Sequence, residues 1–428
     1  MAYGANVPRQ IGNKVLNEEH EMARTVKKIE GGVCAAKGFR AAGVPAGIKY
    51  EGRNDVALIV AEKPCSAAAV FTTNAVAAAP VVYDRAVVKG GRIQAILANS
   101  GCANACTGEP GYKDAERSAI ETAKVLGIDP SLVLVASTRV IGHRLPLDRL
   151  IAGMKSAAAC LAATSAAGLA ANKAVMTTDT KPKQAAVQVK IGGRTVTIGG
   201  MCKGSGMIEP DMATMLGFIT TDAAITPAML RRALRSAIAV SFNHVVVDGD
   251  ESTNDSVFVM ASGAAGNKTI SSAGEDFEAF TAALTEVGIA LARQMAADGE
   301  GATKFVTVVV KGARTQRDAD KAARAIAKSP HAKTSWFGKD PNWGRVLAAA
   351  GYSGAEVDDR KAEVFYGRTW AYRKGKVADN AQLAKLAKEL NGPELVVTVD
   401  LHLGAFSSSI YTCDFSLDYV HINADYTT

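Results

Sequence analysis

The chain has 428 residues, 48% of them hydrophobic and 21% charged, a composition that excludes a disordered polypeptide and suffices for one large or two ordinary cores. Its net charge is +7, but lysine and arginine are scattered without a block of like charges, so neither a nucleic-acid nor a membrane partner is indicated. Seven cysteines form no Cys-x-x-Cys pair and are read as reduced thiols of a cytosolic protein.

Residues 1–30 are polar and charged, lack the apolar centre of a secretory signal, and are expected to be a loose N-terminal extension. From Gly31 come short β-like runs separated by glycine and alanine: DVALIVAE (55–62), AAAVFTTN (67–74) and IQAILANSG (93–101). Ala157 to Met176 is rich in alanine and predicts one helix. In AAVQVKIGGRTVTIGG (185–200), alternating valine and isoleucine on either side of Gly192-Gly193 predict a β-hairpin. KGSGMIEPDMATMLGF (203–218) begins where that hairpin stops. Pro227 to Ile238 predicts a helix, and 244–260 a strand, a polar turn and a second strand. Phe277, Phe280, Leu284, Val287, Leu291 and Met295 recur at helical spacing up to DGEG (298–301), which marks an amphipathic helix whose stripe is core. KFVTVVVKG (304–312) and ELVVTVDLHLG (394–404) read as strands buried on both faces. Strands followed by helices in both halves predict an α/β or α+β architecture.

Three motif classes fail on spacing. Lys203 precedes its glycine, unlike a phosphate-loop lysine; the glycine of DGDESTND falls second, not sixth, as a calcium loop requires; and GSG lacks the outer residues of a serine elbow. The six histidines are dispersed, with no pair at metal-ligand spacing. Thr214 remains. A hydroxyl is a poor nucleophile until something takes its proton, and a threonine made the first residue of a chain has its own α-amine as that base. Glycines 204 and 206 and Pro210 would hold residues 207–214 in a tight path, where the Thr214 hydroxyl could attack the carbonyl of the small Ala213. An Ala-Thr pair before an apolar strand is also ordinary core sequence.

KGSGMIEPDMATML resembles the processing motif of the bifunctional ornithine acetyltransferase, or glutamate N-acetyltransferase, family. FTTN with AAP (71–80), NSGCANACTG (99–108), STRVIGHRLP (137–146), MTTDT (176–180), FNHVVVDGDESTND (242–255), DGEGATKF (298–305), FGKDPNWGR (337–345) and DYVHINADYTT (418–428) are similar to further blocks of that family, in order. The resemblance implies a layered αββα sandwich of the N-terminal-nucleophile type. It implies autocleavage between Ala213 and Thr214, giving an alpha segment (31–213) and a beta segment (214–428) that form one enzyme. It further implies that an acetyl group passes from N-acetylornithine to glutamate through a Thr214 acyl-enzyme in arginine biosynthesis, with acetyl-CoA a further donor in some members. Thr177, Lys203, Thr214, Glu300, Asn423 and Thr428 match substrate-contacting positions. Thr138 matches the oxyanion donor, acting with the backbone N–H of Arg139.

This chain departs from the family pattern. Arg139 stands where glycine is usual, His143-Arg144 where a glutamate follows VIG, and Cys102 where asparagine is usual. These bases are expected to make the mouth of the site more positive, and Arg139 is expected to be strained if its φ is positive. Two alternatives follow: a same-scaffold acyltransferase or amidohydrolase with an altered acyl donor, because of Arg139 and His143, and an unprocessed, catalytically silent binding protein. No metal or organic cofactor is implied, since the hydroxyl, its amine and fixed donors suffice for acyl exchange. The expected assembly is a cytoplasmic homo-oligomer of cleaved subunits.

Overall fold

Alternating apolar residues flank Gly192 and Gly193, whose φ values of +53° and +77° make the primed turn that matches strand twist. The hairpin predicted there forms, as β6 (Lys183–Ile191) and β7 (Arg194–Lys203). The computed structural model describes residues 26–209 and 215–425. Ahead of the hairpin lie β1 (Lys27–Ile29), β2 (Phe39–Val44), β3 (Val56–Phe71), α1 (Ala79–Val87), β4 (Arg92–Asn99), α2 (Gly108–Leu126), β5 (Val133–Ser137), α3 (Leu147–Ala159) and α4 (Ser165–Val175). After it come β8 (Leu216–Thr221), α5 (Pro227–Ala239), β9 (Ser256–Ala261) and α6 (Glu275–Ala297).

These strands form one nine-stranded sheet that folds over on itself through β3. β2 and β4 pair with the first half of β3 and β9 with the second, and a register shift between Val60 and Cys65 lets the strand pass from one half-sheet to the other. Ile59 of β3, Ile96 of β4, Phe218 of β8 and Phe258 of β9 share the core between the half-sheets. Outside the first half, Leu58 and Leu97 pack on α2 and α3. Outside the second, Ile198 and Val257 pack on α5 and α6. The order of layers is therefore helix, sheet, sheet, helix, as the resemblance implied. Helix α4 closes one edge of the inner layer, and Gly43 of β2 permits this: a Cβ there would stand 2.0 Å from the Ala170 carbonyl oxygen.

A second sheet follows, with strand order β13, β12, β11, β14, β10, β15. It contains β10 (Phe305–Ala313), β11 (Glu363–Tyr366), β12 (Thr369–Arg373), β13 (Lys376–Val377), β14 (Glu394–Asp400) and β15 (Phe406–Cys413). Between and after them run α7 (Gln316–Lys328), α8 (Pro330–Phe337), α9 (Trp343–Tyr352), α10 (Asn380–Asn391) and α11 (Leu417–Ala424). Val306, Val308, Val397 and Val399 pack with α7, α8 and α9 on one face. Phe305 and Cys413 join the α6 core, which ties the two sheets together.

Several sequence expectations are corrected. Residues 26–30 are not part of a loose extension, because β1 pairs with β6, Lys27 opposite Gln188; residues 1–25 lie outside the described residues. DVALIVAE and AAAVFTTN contribute to one strand, β3. Ala157 to Met176 is broken between α3 and α4, where Ala162 exchanges two backbone hydrogen bonds with Ala41 of β2 and Thr164 caps the new helix at the Ala167 N–H. Residues 244–247 are not a ladder strand: Val246 N–H donates to the Tyr411 carbonyl and Val247 N–H to that of Ile208. β14 is covered on one face only, so Val396 is 43% exposed. The helices predicted at 227–238 and 277–295 form as α5 and α6. Among the described residues no helix is long and apolar enough to cross a membrane.

Candidate active site

β7 runs antiparallel to β8 with Lys203 opposite Leu216, so the chain leaves the sheet at the end of one inner strand and re-enters beside it at the start of the next. A cavity of about 140 Å³ opens there. Its wall brings together Thr138, Arg139, Thr177, Lys203, Glu300 and Asn423, all named by the motif resemblance. Ala213, Thr214 and Thr428 lie outside the described residues; Met215, the next residue after Thr214, lines the same cavity.

Thr138 stands at the end of β5. Its N–H donates to the Asn99 carbonyl at 3.1 Å, and the Ser137 hydroxyl donates to Asn99 Oδ1 at 2.7 Å. Asn254 Nδ2 donates to the carbonyls of Ser137 and Ala103 at 2.8 and 2.6 Å, so two buried asparagines hold the loop. Lys203 Nζ reaches Thr138 Oγ1 at 3.5 Å. Arg139 has φ +117°, a region where a side chain is strained and glycine is not. Its guanidinium turns to Tyr50, with Nη2 3.3 Å from Oη.

Below Lys203 lies a buried ion group. Asp179 accepts from the Thr177 N–H at 2.9 Å, the Gly204 N–H at 2.8 Å and Lys183 Nζ at 2.6 Å. Lys183 Nζ is also 2.5 Å from Asp298 Oδ2, and Thr180 N–H donates to the same oxygen at 3.1 Å. Burial by itself would raise Asp179, but the charges of Lys183 and Lys203 hold its carboxyl at about 2. Lys183 is likewise raised, against its burial, by the two acids. Lys203 is lowered by burial, a shift that Asp179 and Asp255 oppose. The group thus joins the Thr177 loop to the end of β7, fixing two walls of the cavity.

The opposite wall is acidic. Glu300 N–H donates to the Ser205 carbonyl at 2.8 Å, and Asn423 Nδ2 on α11 donates to Glu300 Oε2 at 2.9 Å. Gly206 makes room for that carboxylate, because a Cβ at 206 would stand 2.3 Å from Oε2. Beyond it Met207 takes φ +57°, and the N–H groups of Met207 and Ile208 both donate to Asp248, at 2.6 and 2.7 Å. Residues 207–209 are therefore held tightly, with Met207 in the left-handed region; Pro210 and the rest of the path expected over 207–214 lie outside the described residues.

Two expectations about charge are corrected. His143 and Arg144 do not line the cavity: Arg144 makes a bidentate pair with Asp114 at 2.7 and 2.9 Å, and His143 is exposed and meets Cys102 through its carbonyl. Arg139 alone of these three bases reaches the cavity wall. Sequence reasoning also missed Lys183, Asp179, Asp298, Asp248 and Asp255. Asp179 and Asp298 were inside the blocks MTTDT and DGEG, and Asp248 and Asp255 inside FNHVVVDGDESTND, but Lys183, in a plain KPKQ run, carried no signal. Asp255 lines the cavity, is 3% exposed, and its Oδ2 has no hydrogen-bond partner; burial raises its carboxyl well above the usual range. Among the described residues no group of His, Cys, Asp and Glu is arranged to hold a metal ion.

An αββα sandwich with a hydroxyl, a buried cation and a carboxylate around one cavity has the parts of an acyl-transfer site. The chain belongs to the ArgJ family, whose model matches residues 40–428. It is 52% identical over 404 residues to the arginine biosynthesis bifunctional protein ArgJ of Symbiobacterium thermophilum, covering 94% of this chain and 99% of that protein. It is 48% identical over 392 residues to the protein of the same name from Geobacter sulfurreducens, covering 92% and 99%. Among solved structures it is similar to the Mycobacterium tuberculosis ornithine acetyltransferase complexed with ornithine, at 41% identity, with a TM-score of 0.41 and coverage of 45% of this chain and 100% of that one.

Proposed function

We propose that this protein transfers an acetyl group from N-acetyl-L-ornithine to L-glutamate by a ping-pong route through Thr214, after the chain has cut itself before that residue. The Thr214 hydroxyl attacks the Ala213 carbonyl, the Ala213–Thr214 peptide bond shifts to an ester, and water hydrolyses the ester to leave a carboxylate on Ala213 and a free amine on Thr214. β8, which would begin the beta segment, lies between β7 of the alpha segment and β9, and β9 pairs with β3. The sheet would therefore hold the two segments together after cleavage.

In transfer, the freed amine takes the proton of the Thr214 hydroxyl, whose oxygen adds to the acetyl carbonyl of the donor. The Thr138 hydroxyl and the Arg139 N–H stabilise the resulting oxyanion, and Lys203, 3.5 Å from Thr138 Oγ1, orients that hydroxyl. The carbon–nitrogen bond breaks, the proton goes to the leaving amine, and ornithine departs. The amine of glutamate then attacks the Thr214 ester and regenerates the hydroxyl. Thr177 and Lys203 supply a donor and a cation for the substrate carboxylate, Glu300 with Asn423 accepts an ammonium, and Thr428 is assigned to the same substrate set. No cofactor enters these steps, and acetyl-CoA is a second donor to test. The working form is a cytoplasmic homo-oligomer of cleaved subunits.

The observation that carries this reading is the convergence of Thr138, Thr177, Lys203, Glu300 and Asn423 on one cavity, beside the point where Met215 re-enters the sheet. Denaturing electrophoresis should separate two fragments from the purified protein and one from Thr214→Ala. Mixing N-acetylornithine with glutamate should release ornithine. An intact wild-type chain would favour the silent binding protein. Arg139 in the cavity wall motivates the altered-donor reading, which release from another acyl amino acid, and none from N-acetylornithine, would support.

A further inference from the structure

The two substrates of the proposed exchange end in side chains of opposite charge, an ammonium on ornithine and a carboxylate on glutamate. Both must use one cavity, since one acylates Thr214 and the other discharges it. The inference below rests on that reading. Glu300, with Asn423 on its Oε2, suits the ammonium side chain. A carboxylate side chain directed there would meet like charge in a partly desolvated wall. Lys203 does not resolve the conflict, because an α-carboxylate common to both substrates requires a cation of its own.

Arg139 is at once a wall of the cavity and of a small adjoining cleft, and Thr177 is likewise shared by both. Lys49, Tyr50 and Arg53 line the cleft. Lys49 Nζ lies 5.4 Å and Arg53 Cζ 5.9 Å from the centre of the Tyr50 ring, and Arg139 Nη2 lies 3.3 Å from Tyr50 Oη. Arg53 is fixed from behind by the Met176 carbonyl, at 2.7 Å from Nη2. The acid on this wall, Asp55, has its two oxygens occupied by the Ala46 and Ile48 N–H groups, each at 2.6 Å. Burial would raise the Tyr50 phenol, yet the Arg139 hydrogen bond and the Arg139 and Lys49 charges hold it below the usual range.

We propose that Lys49, Arg53 and Arg139, spaced around Tyr50, form an anion subsite for the side-chain carboxylate of the acyl acceptor, and that the same cluster opposes the ammonium side chain of the released product. The cavity is thereby sorted by charge: its Glu300 end takes the donor side chain and its Arg139 end the acceptor side chain. Departing ornithine is then not drawn to the wall that receives glutamate.

The test uses the full-length protein and a charge reversal at exposed Lys49, with Arg53→Gln as a second variant. At low salt, Lys49→Glu should raise KM for glutamate about tenfold and lower the inhibition constant of ornithine as product severalfold. Arg53→Gln should move both in the same directions by less, and added salt should raise the wild-type KM for glutamate. Opposite shifts for the two ligands are the signature, since a merely structural lesion weakens both. Parallel shifts, or none, overturn the subsite while leaving the acyl transfer intact. A wild-type protein that gives no burst of ornithine from N-acetylornithine sinks the parent reading, and the subsite with it.

Discussion

Replacing Lys183 by methionine tests the buried ion group under the cavity. The methionine chain occupies nearly the same path but leaves Asp179 and Asp298 facing each other without the ammonium that lies 2.6 and 2.5 Å from them. Lys183 is 1% exposed and Asp179 is fully enclosed at its side chain, so water does not replace the lost partner. Removing one member of such a pair costs about 3–5 kcal/mol, against a total stability of about 5–15 kcal/mol for a typical protein. The loss should depend on pH. Asp179 is depressed from 3.8 to about 2, so its share of stability is complete above the unfolded value and disappears as pH falls through that interval. That share is about 2 kcal/mol by linkage. Urea unfolding of wild type and Lys183→Met at pH 7 and at a series of values down to 3 should give a large gap at neutrality that narrows with acid. A loss under about 1 kcal/mol at pH 7, or a gap that does not narrow, would mean that the backbone N–H groups of Thr177, Thr180 and Gly204 already satisfy both carboxylates, and the reasoning would be wrong.

Gly206→Ala places a methyl 2.3 Å from Glu300 Oε2 and must displace that carboxylate. Substrate KM should rise by about tenfold or more while the unfolding midpoint moves little; unchanged kinetics would show that Glu300 is not held against residue 206 during turnover. Asp255→Asn addresses the carboxyl that burial raises. An acid whose folded value is raised contributes most below its unfolded value and loses that contribution as pH rises, whereas asparagine has no such dependence. The variant should therefore gain stability relative to wild type as pH rises above the unfolded value of 3.8 in thermal or urea unfolding, and a difference independent of pH would refute the assignment. Thr214→Ala, read by electrophoresis, completes the set.

Local chemistry made much of the chain legible beforehand. The Gly192-Gly193 turn and the apolar stripe of α6 are decided by interactions a few residues long, and both formed as read. The ordered motif blocks singled out Thr138, Arg139, Thr177, Lys203, Glu300 and Asn423, which the fold brings to one cavity. Tertiary structure alone decided how β3 passes between two half-sheets, why α3 and α4 part where Ala162 meets Ala41, and that Arg144 is spent on Asp114 while Arg139 faces the cavity. The same holds for Lys183, whose neighbours Asp179 and Asp298 lie 4 and 115 residues away along the chain. Side-chain pattern reports which face of an element is apolar, but the energy of an ion pair or a backbone contact depends on separation and burial, and those exist only once remote segments have packed together.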